Sequence, residues 1–191
     1  MTRRNFLLFA ADDAYVYAAP KAVQRTDDLS YAAPRSSETP AIPGTADSRA
    51  AFSATCVGCG LCVKNCPRHV LKFATRSRGA LQPALDFRLG WCPPECHTCG
   101  EICPLGALKP VEEGRKRLSR LGVAVWHAEH CLVATKGVAC DACLRHCPEK
   151  AISHDAERRP VVNAAACIGC GACEFHCPAR PATGMQVEGV R

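Results

Sequence analysis

The chain has 191 residues, and sixteen of them are cysteine, about 8% and several times the usual share. Without cysteine the hydrophobic fraction falls from 48% to about 40%, and aromatics reach only 6%, a thin supply for a packed core at this size. The formal charge is +6. Apolar runs such as Phe6–Ala11 and Gly122–Trp126 fall far short of the roughly 20 residues that span a bilayer, and no glycine motif for phosphate, dinucleotide or serine-nucleophile chemistry is present.

Residues 1–55 contain no cysteine and are rich in Pro, Ser, Ala and Asp, with Pro20, Pro34, Pro40 and Pro43. They read as an extended, mobile leader, and residues 56–191 as a separate cluster region. Four cysteine quartets follow with none left over. Cys56, Cys59, Cys62 and Cys66 precede Pro67, in the spacing C-x2-C-x2-C-x3-C-P. Val70–Leu71 then starts a strand, and Ala84–Phe87 leads into the second quartet. That quartet, Cys92, Cys96, Cys99 and Cys103 before Pro104, widens the first gap by one residue.

Ala107–Leu108 marks the next strand start, and Gly122–Trp126 leads into the third quartet. Cys131, Cys140, Cys143 and Cys147 before Pro148 open the first gap to eight residues. Ala151–Ile152 and Pro160–Val162 flank the approach to the fourth. Cys167, Cys170, Cys173 and Cys177 before Pro178 repeat the first spacing unchanged. Met185 and Val187 come late, beyond Pro181, so the last repeat is irregular. The repeat reads as strand, cysteine loop, short helix, strand.

Three thiolates two residues apart, followed by a fourth and a proline, form the bacterial ligand run of a [4Fe–4S] cluster. Gly58, Gly60, Gly169 and Gly171 let the loop backbone approach the cluster closely. Zinc sites prefer two separated C-x2-C pairs. Disulfides cannot be strung through such close triplets without strain, and thioredoxin-type chemistry needs one pair rather than four quartets. The expected fold is α+β, a tandem of bacterial-type two-cluster ferredoxin-like domains holding four [4Fe–4S] clusters. Metal binding and folding should be coupled.

In two-cluster ferredoxins the fourth Cys of each run ligates the other run's cluster. Matching quartets by spacing pairs the first with the fourth and the second with the third. That nested scheme groups Cys56, Cys59 and Cys62 with Cys177, and Cys167, Cys170 and Cys173 with Cys66. It also groups Cys92, Cys96 and Cys99 with Cys147, and Cys131, Cys140 and Cys143 with Cys103. Sequential pairing fits the connecting lengths as well.

From Cys56 to Val187 the quartet order resembles that of the NapF/NapG-type polyferredoxins of periplasmic nitrate reductase systems. Local phrases carry the resemblance: Leu81-Gln82-Pro83-Ala84-Leu85-Asp86-Phe87, the long gap from Cys131 to Cys140, and Cys167-Ile168-Gly169-Cys170-Gly171-Ala172-Cys173. The longer leader and the extra residue in the second quartet depart from the NapF-like pattern. The resemblance implies single-electron transfer to or from a multisubunit redox partner, such as a membrane or molybdenum oxidoreductase. The alternative it implies is an accessory factor maturing a cytoplasmic reductase precursor.

Thr2-Arg3-Arg4-Asn5-Phe6-Leu7 looks like a twin-arginine motif, but Asp12 and Asp13 cut its apolar stretch short of the usual length. The expectation is therefore a cytoplasmic protein, with periplasmic export as the alternative. No acid–base or nucleophilic set appears, so the chain reads as a carrier rather than an enzyme. Four clusters at about −2 each offset the formal charge, which removes the case for nucleic acid. Arg115, Lys116, Arg117 and Arg120 form a basic cluster, read as a solvated connector or a docking patch for an acidic partner. His69, His97, His146 and His176 beside the quartets read as structural, and Trp91 and Trp126 as packing against clusters.

Overall fold

Leu71 lies opposite Leu85 and Phe73 opposite Pro83 where β1 (Leu71–Thr75) pairs antiparallel with β2 (Leu81–Leu85). Residues 41–75, 81–112 and 115–189 are described by a computed structural model, so the twin-arginine-like start and the rest of residues 1–40 lie outside the described residues. The hairpin begins at Val70–Leu71, the apolar pair after the first quartet. Its exit is fixed by Asp86, a buried carboxylate that accepts from the backbone N–H and guanidinium of Arg88 and pairs with Lys72. Buried charge is tolerated because it is paired on every side.

Two short helices flank this hairpin, α2 (Leu61–Lys64) and α3 (Thr98–Glu101), and they pack against each other. The leader expected to end at residue 55 does not hold for residues 41–55. Ile42 is fully buried, and Ala41, Thr45 and Ala46 are nearly so. α1 (Arg49–Thr55) follows, capped where the Ser48 hydroxyl accepts from the Ala51 N–H at 3.1 Å, and it buries Phe52. Leu85 N–H donates to the Ala41 carbonyl and Lys109 N–H to the Thr45 carbonyl. The 41–46 strip thus does for the first unit what an outer strand would do. Ala107–Leu108 is buried as an apolar pair but forms no strand.

The second unit is more regular. β3 (Gly122–Trp126) pairs antiparallel with β6 (Met185–Gly189), and β4 (Ile152–His154) with β5 (Pro160–Val162). In the last repeat β6 begins only at Met185, eight residues after Cys177, and returns to pair with β3. Between β3 and the third quartet's later cysteines lies α5 (Leu132–Lys136), which fills the long gap. α6 (Ala142–Arg145) and α7 (Ala172–Phe175) pack together as α2 and α3 do. The basic run lies on α4 (Arg115–Leu118), which leads into β3.

Few large side chains make the interior. Phe52, Phe87, Ile42, Leu85, Leu108 and Val70 are its biggest fully buried residues, each contributing about 1.5–3 kcal/mol on burial. Cys62, Cys66, Cys92, Cys131, Cys143, Cys167, Cys170 and Cys173 are buried among or beside them. The fold therefore closes around its thiols.

Candidate metal centre

In each quartet the first two thiols precede a short helix, the third lies within that helix, and the fourth follows it. In the first and fourth quartets the loop enters its helix through Gly60 (φ 80°) and Gly171 (φ 81°), both left-handed. A side chain at Gly60 would press on the Phe73 ring, and one at Gly171 would overlap the Phe87 ring. In the second and third quartets His97 and Asp141 take that position at φ −131° and −132°, where any residue is allowed. The widened first gap supplies the slack that glycine supplies elsewhere.

Cys56, Cys59 and Cys62 line one cavity with Cys103, about 360 Å³ including its mouth. Cys167, Cys170 and Cys173 line another with Cys147, about 320 Å³. Cys131, Cys140 and Cys143 line a third with Cys177, about 340 Å³. The remaining thiols are those of Cys92, Cys96, Cys99 and Cys66, with Cys96 and Cys66 both acting electrostatically on Cys99. The nested grouping is thus not what the fold brings together. Cys103 stands where Cys177 was expected, Cys177 where Cys103 was, Cys147 in place of Cys66, and Cys66 near the set assigned to Cys147. The physical reason is helix packing: α2 meets α3 and α6 meets α7, so each fourth cysteine reaches the loop of its sequence neighbour.

The donor set suits a group larger than a single ion. Four thiols line each of three cavities, a soft donor set of the kind that iron–sulfur clusters take. Burial, reinforced by Cys99, Cys56 and Cys59, pushes the Cys62 thiol up to about 12. Burial with Cys147, Cys167 and Cys92 nearby does the same for Cys170, and burial takes Cys143 up to about 11. Cys173, the most buried of these, is driven well above the ordinary thiol range. Such thiols stay neutral until a metal displaces their protons.

Neighbouring groups act on one another electrostatically: Cys99 on Cys62, Cys92 on Cys170 across the junction of the two units, and Cys143 on Cys173. Backbone N–H groups point at several thiols: Ala151 at Cys147 (3.2 Å), Gly184 at Cys177 (3.3 Å) and Ala124 at Cys167 (3.5 Å). Cys59 is the one exposed cysteine of the sixteen, and Val57, Leu61 and Leu105 are exposed around it.

Three residues of the basic cluster, Arg115, Arg117 and Arg120, remain exposed, and one does not. Lys116 is 4% exposed and turned inward, Arg117 pairs with Glu149 at 2.8 Å, and Arg120 donates to the Ala165 carbonyl. His146 and His176, at the ends of α6 and α7, stack at 3.8 Å. Trp126 packs on the core, whereas Trp91 lies under the Arg68 guanidinium. Two residues near the thiols were not foreseen as site residues, Thr45 and the inward-turned Lys116. Thr45 carried no signal at all, and Lys116 sat in a charge run without an apolar neighbour to mark it as buried.

Comparison with known proteins finds iron–sulfur relatives. The family described as 4Fe-4S dicluster domain (Fer4_7) matches residues 55–107 and again 136–180. The first match spans quartets one and two, and the second runs from within quartet three through quartet four. The chain is 35% identical to the ferredoxin-type protein NapG of Escherichia coli K12 over 144 residues, 66% of this chain and 61% of that protein. It is 36% identical to the methylamine utilization ferredoxin-type protein MauM of Paracoccus denitrificans over 132 residues, 62% of this chain and 58% of that one. With MauM of Methylophilus methylotrophus the identity is 36% over 102 residues, 51% and 44% respectively. The chain thus spans about three fifths or less of the length of these relatives.

Proposed function

Because the chain belongs to the 4Fe-4S dicluster domain family, we propose that it is a NapG-like polyferredoxin holding four [4Fe–4S] clusters in a row. As a ferredoxin-type iron–sulfur protein related to NapG and MauM it is an electron carrier and not an enzyme. Cys56, Cys59, Cys62 and Cys103 hold the first cluster; Cys92, Cys96, Cys99 and Cys66 the second. Cys167, Cys170, Cys173 and Cys147 hold the third, and Cys131, Cys140, Cys143 and Cys177 the fourth. The clusters supply reversible single-electron chemistry when bound. The protein's part is to space them, to bury half of their ligands, and to aim N–H groups at several of their sulfurs.

One observation carries the reading: four sets of thiols lie in sequence, each touching the next electrostatically, with Cys59 exposed at one end. A redox partner, for which we propose a multisubunit oxidoreductase, would meet the chain at that end. The reading includes a cytoplasmic location, supported by the Asp12–Asp13 interruption and tested by fractionating cells that express the full chain. Anaerobic purification with iron and sulfide counts, followed by an EPR-monitored redox titration, tests the cluster content. The expected result is about 16 Fe with matching sulfide per chain. Stoichiometric zinc without sulfide would overturn it.

A further inference from the structure

Lys116 is a buried lysine whose three ammonium donors are all taken. It donates to the Cys92 thiol at 3.1 Å, to the Pro93 carbonyl at 2.7 Å, and to the Cys96 carbonyl. Gly44 makes room for it: a Cβ there would lie 2.8 Å from the lysine Cε and 3.0 Å from Leu121 Cδ2. A buried ammonium is costly unless something negative faces it. Two carbonyls and a neutral thiol answer its hydrogen bonds but not its charge. Thr45 adds a second side-chain hydrogen bond to the same set, its hydroxyl lying 3.3 Å from Cys99 Sγ. At the set of Cys147 and Cys167 and at that of Cys177 the hydrogen bonds given above come from backbone N–H groups, not from a charged side chain.

Resting on the four-cluster reading, we infer that Lys116 is a positioning residue that raises the reduction potential of the cluster held by Cys92, Cys96, Cys99 and Cys66 above the other three. Its fixed charge faces a ligand set that gains one negative charge when one electron arrives from a reductant. No bond breaks and no proton moves in that step. The cation favours the reduced, more negative form, and burial keeps the attraction from being screened by water. Net charge and hydrogen bonds to the sulfurs are the levers by which a protein sets such potentials. Because this set also adjoins Cys170, the raised site sits inside the row, at the junction of the two units, rather than at an end.

The test is an EPR-monitored redox titration of K116M beside the native chain, with iron and sulfide counted in both. A native chain without sulfide defeats the four-cluster reading before any variant is made. With the native count intact, K116M should keep its iron and lower the reduction equilibrium constant of one cluster at least tenfold, about 59 mV for one electron. The other three should hold, and K116R should stay close to native. Four unchanged potentials, or four equal shifts, would overturn the inference. If K116M and the polar K116Q both lose iron, Lys116 is a structural support and the inference also fails.

Discussion

The Cys92 backbone N–H donates to the Cys170 carbonyl oxygen at 2.9 Å. This bond joins the second cysteine loop to the fourth, across the junction of the two cluster units. Leu121 N–H donates to the Ile168 carbonyl beside it, and the fully buried Phe87 ring covers Gly171. Quartets two and four are therefore backbone neighbours, and under the proposed grouping the exchange of fourth ligands runs within each unit.

Iron counting separates the two ligation schemes. Cys59 and Cys103 line the same cavity, so the double variant Cys59→Ser/Cys103→Ser should lose one cluster and keep about 12 Fe. Nested ligation puts them on different clusters and leaves about 8. A count near the lower value in the double variant, with each single variant near 12, would reject the grouping read from the fold.

Two glycines with similar backbone angles should respond very differently to alanine. Gly106 (φ 64°) has open space around it, so Gly106→Ala costs only the left-handed conformation, about 1–2 kcal/mol. Gly171 (φ 81°) meets the Phe87 ring, so Gly171→Ala adds overpacking of roughly 1–3 kcal/mol. Thermal unfolding of the loaded protein should show the larger loss at Gly171. Equal losses would mean that Phe87 yields to the added methyl.

The β4–β5 turn carries a pH signature. Asp155 accepts from the backbone N–H groups of Glu157 and Arg159 and from the Arg159 guanidinium. Partial desolvation raises its carboxyl, but the Arg159 hydrogen bonds outweigh that and hold it below the usual value of 3.8. A depressed carboxylate stabilises the fold above its ordinary value and stops doing so as pH falls through its folded value. The Tm gap between the native chain and Asp155→Asn should thus be present at pH 7 and close below about pH 4. The effect is small because the group is solvent-screened. A gap that widens in acid would reverse the sign argued here.

Much of the site was legible because cluster spacing is a local property. Gly122–Trp126 and Pro160–Val162 were marked by their apolar runs and form β3 and β5 with those bounds. Ligand partnering was not legible, because spacing reports how a loop bends, by glycine or by an added residue, while partnering depends on which helices pack. Each unit combines one glycine-bent loop with one lengthened loop, so matching like with like grouped cysteines that line different cavities. Ala41–Ala46 and α1 escaped notice for a related reason. Their prolines and alanines carry no period of their own, and their burial depends on Leu85 and Lys109, roughly 40 and 60 residues downstream.

The bareness of Cys59 sets an order of decay. Dioxygen meets that thiol at the surface, whereas Cys173 in the other unit is buried. Corrosion in air should consequently begin at the Cys56–Cys103 end and travel inward. A partner seated over Val57 and Leu105 would slow it, acting as a stopper as well as a contact.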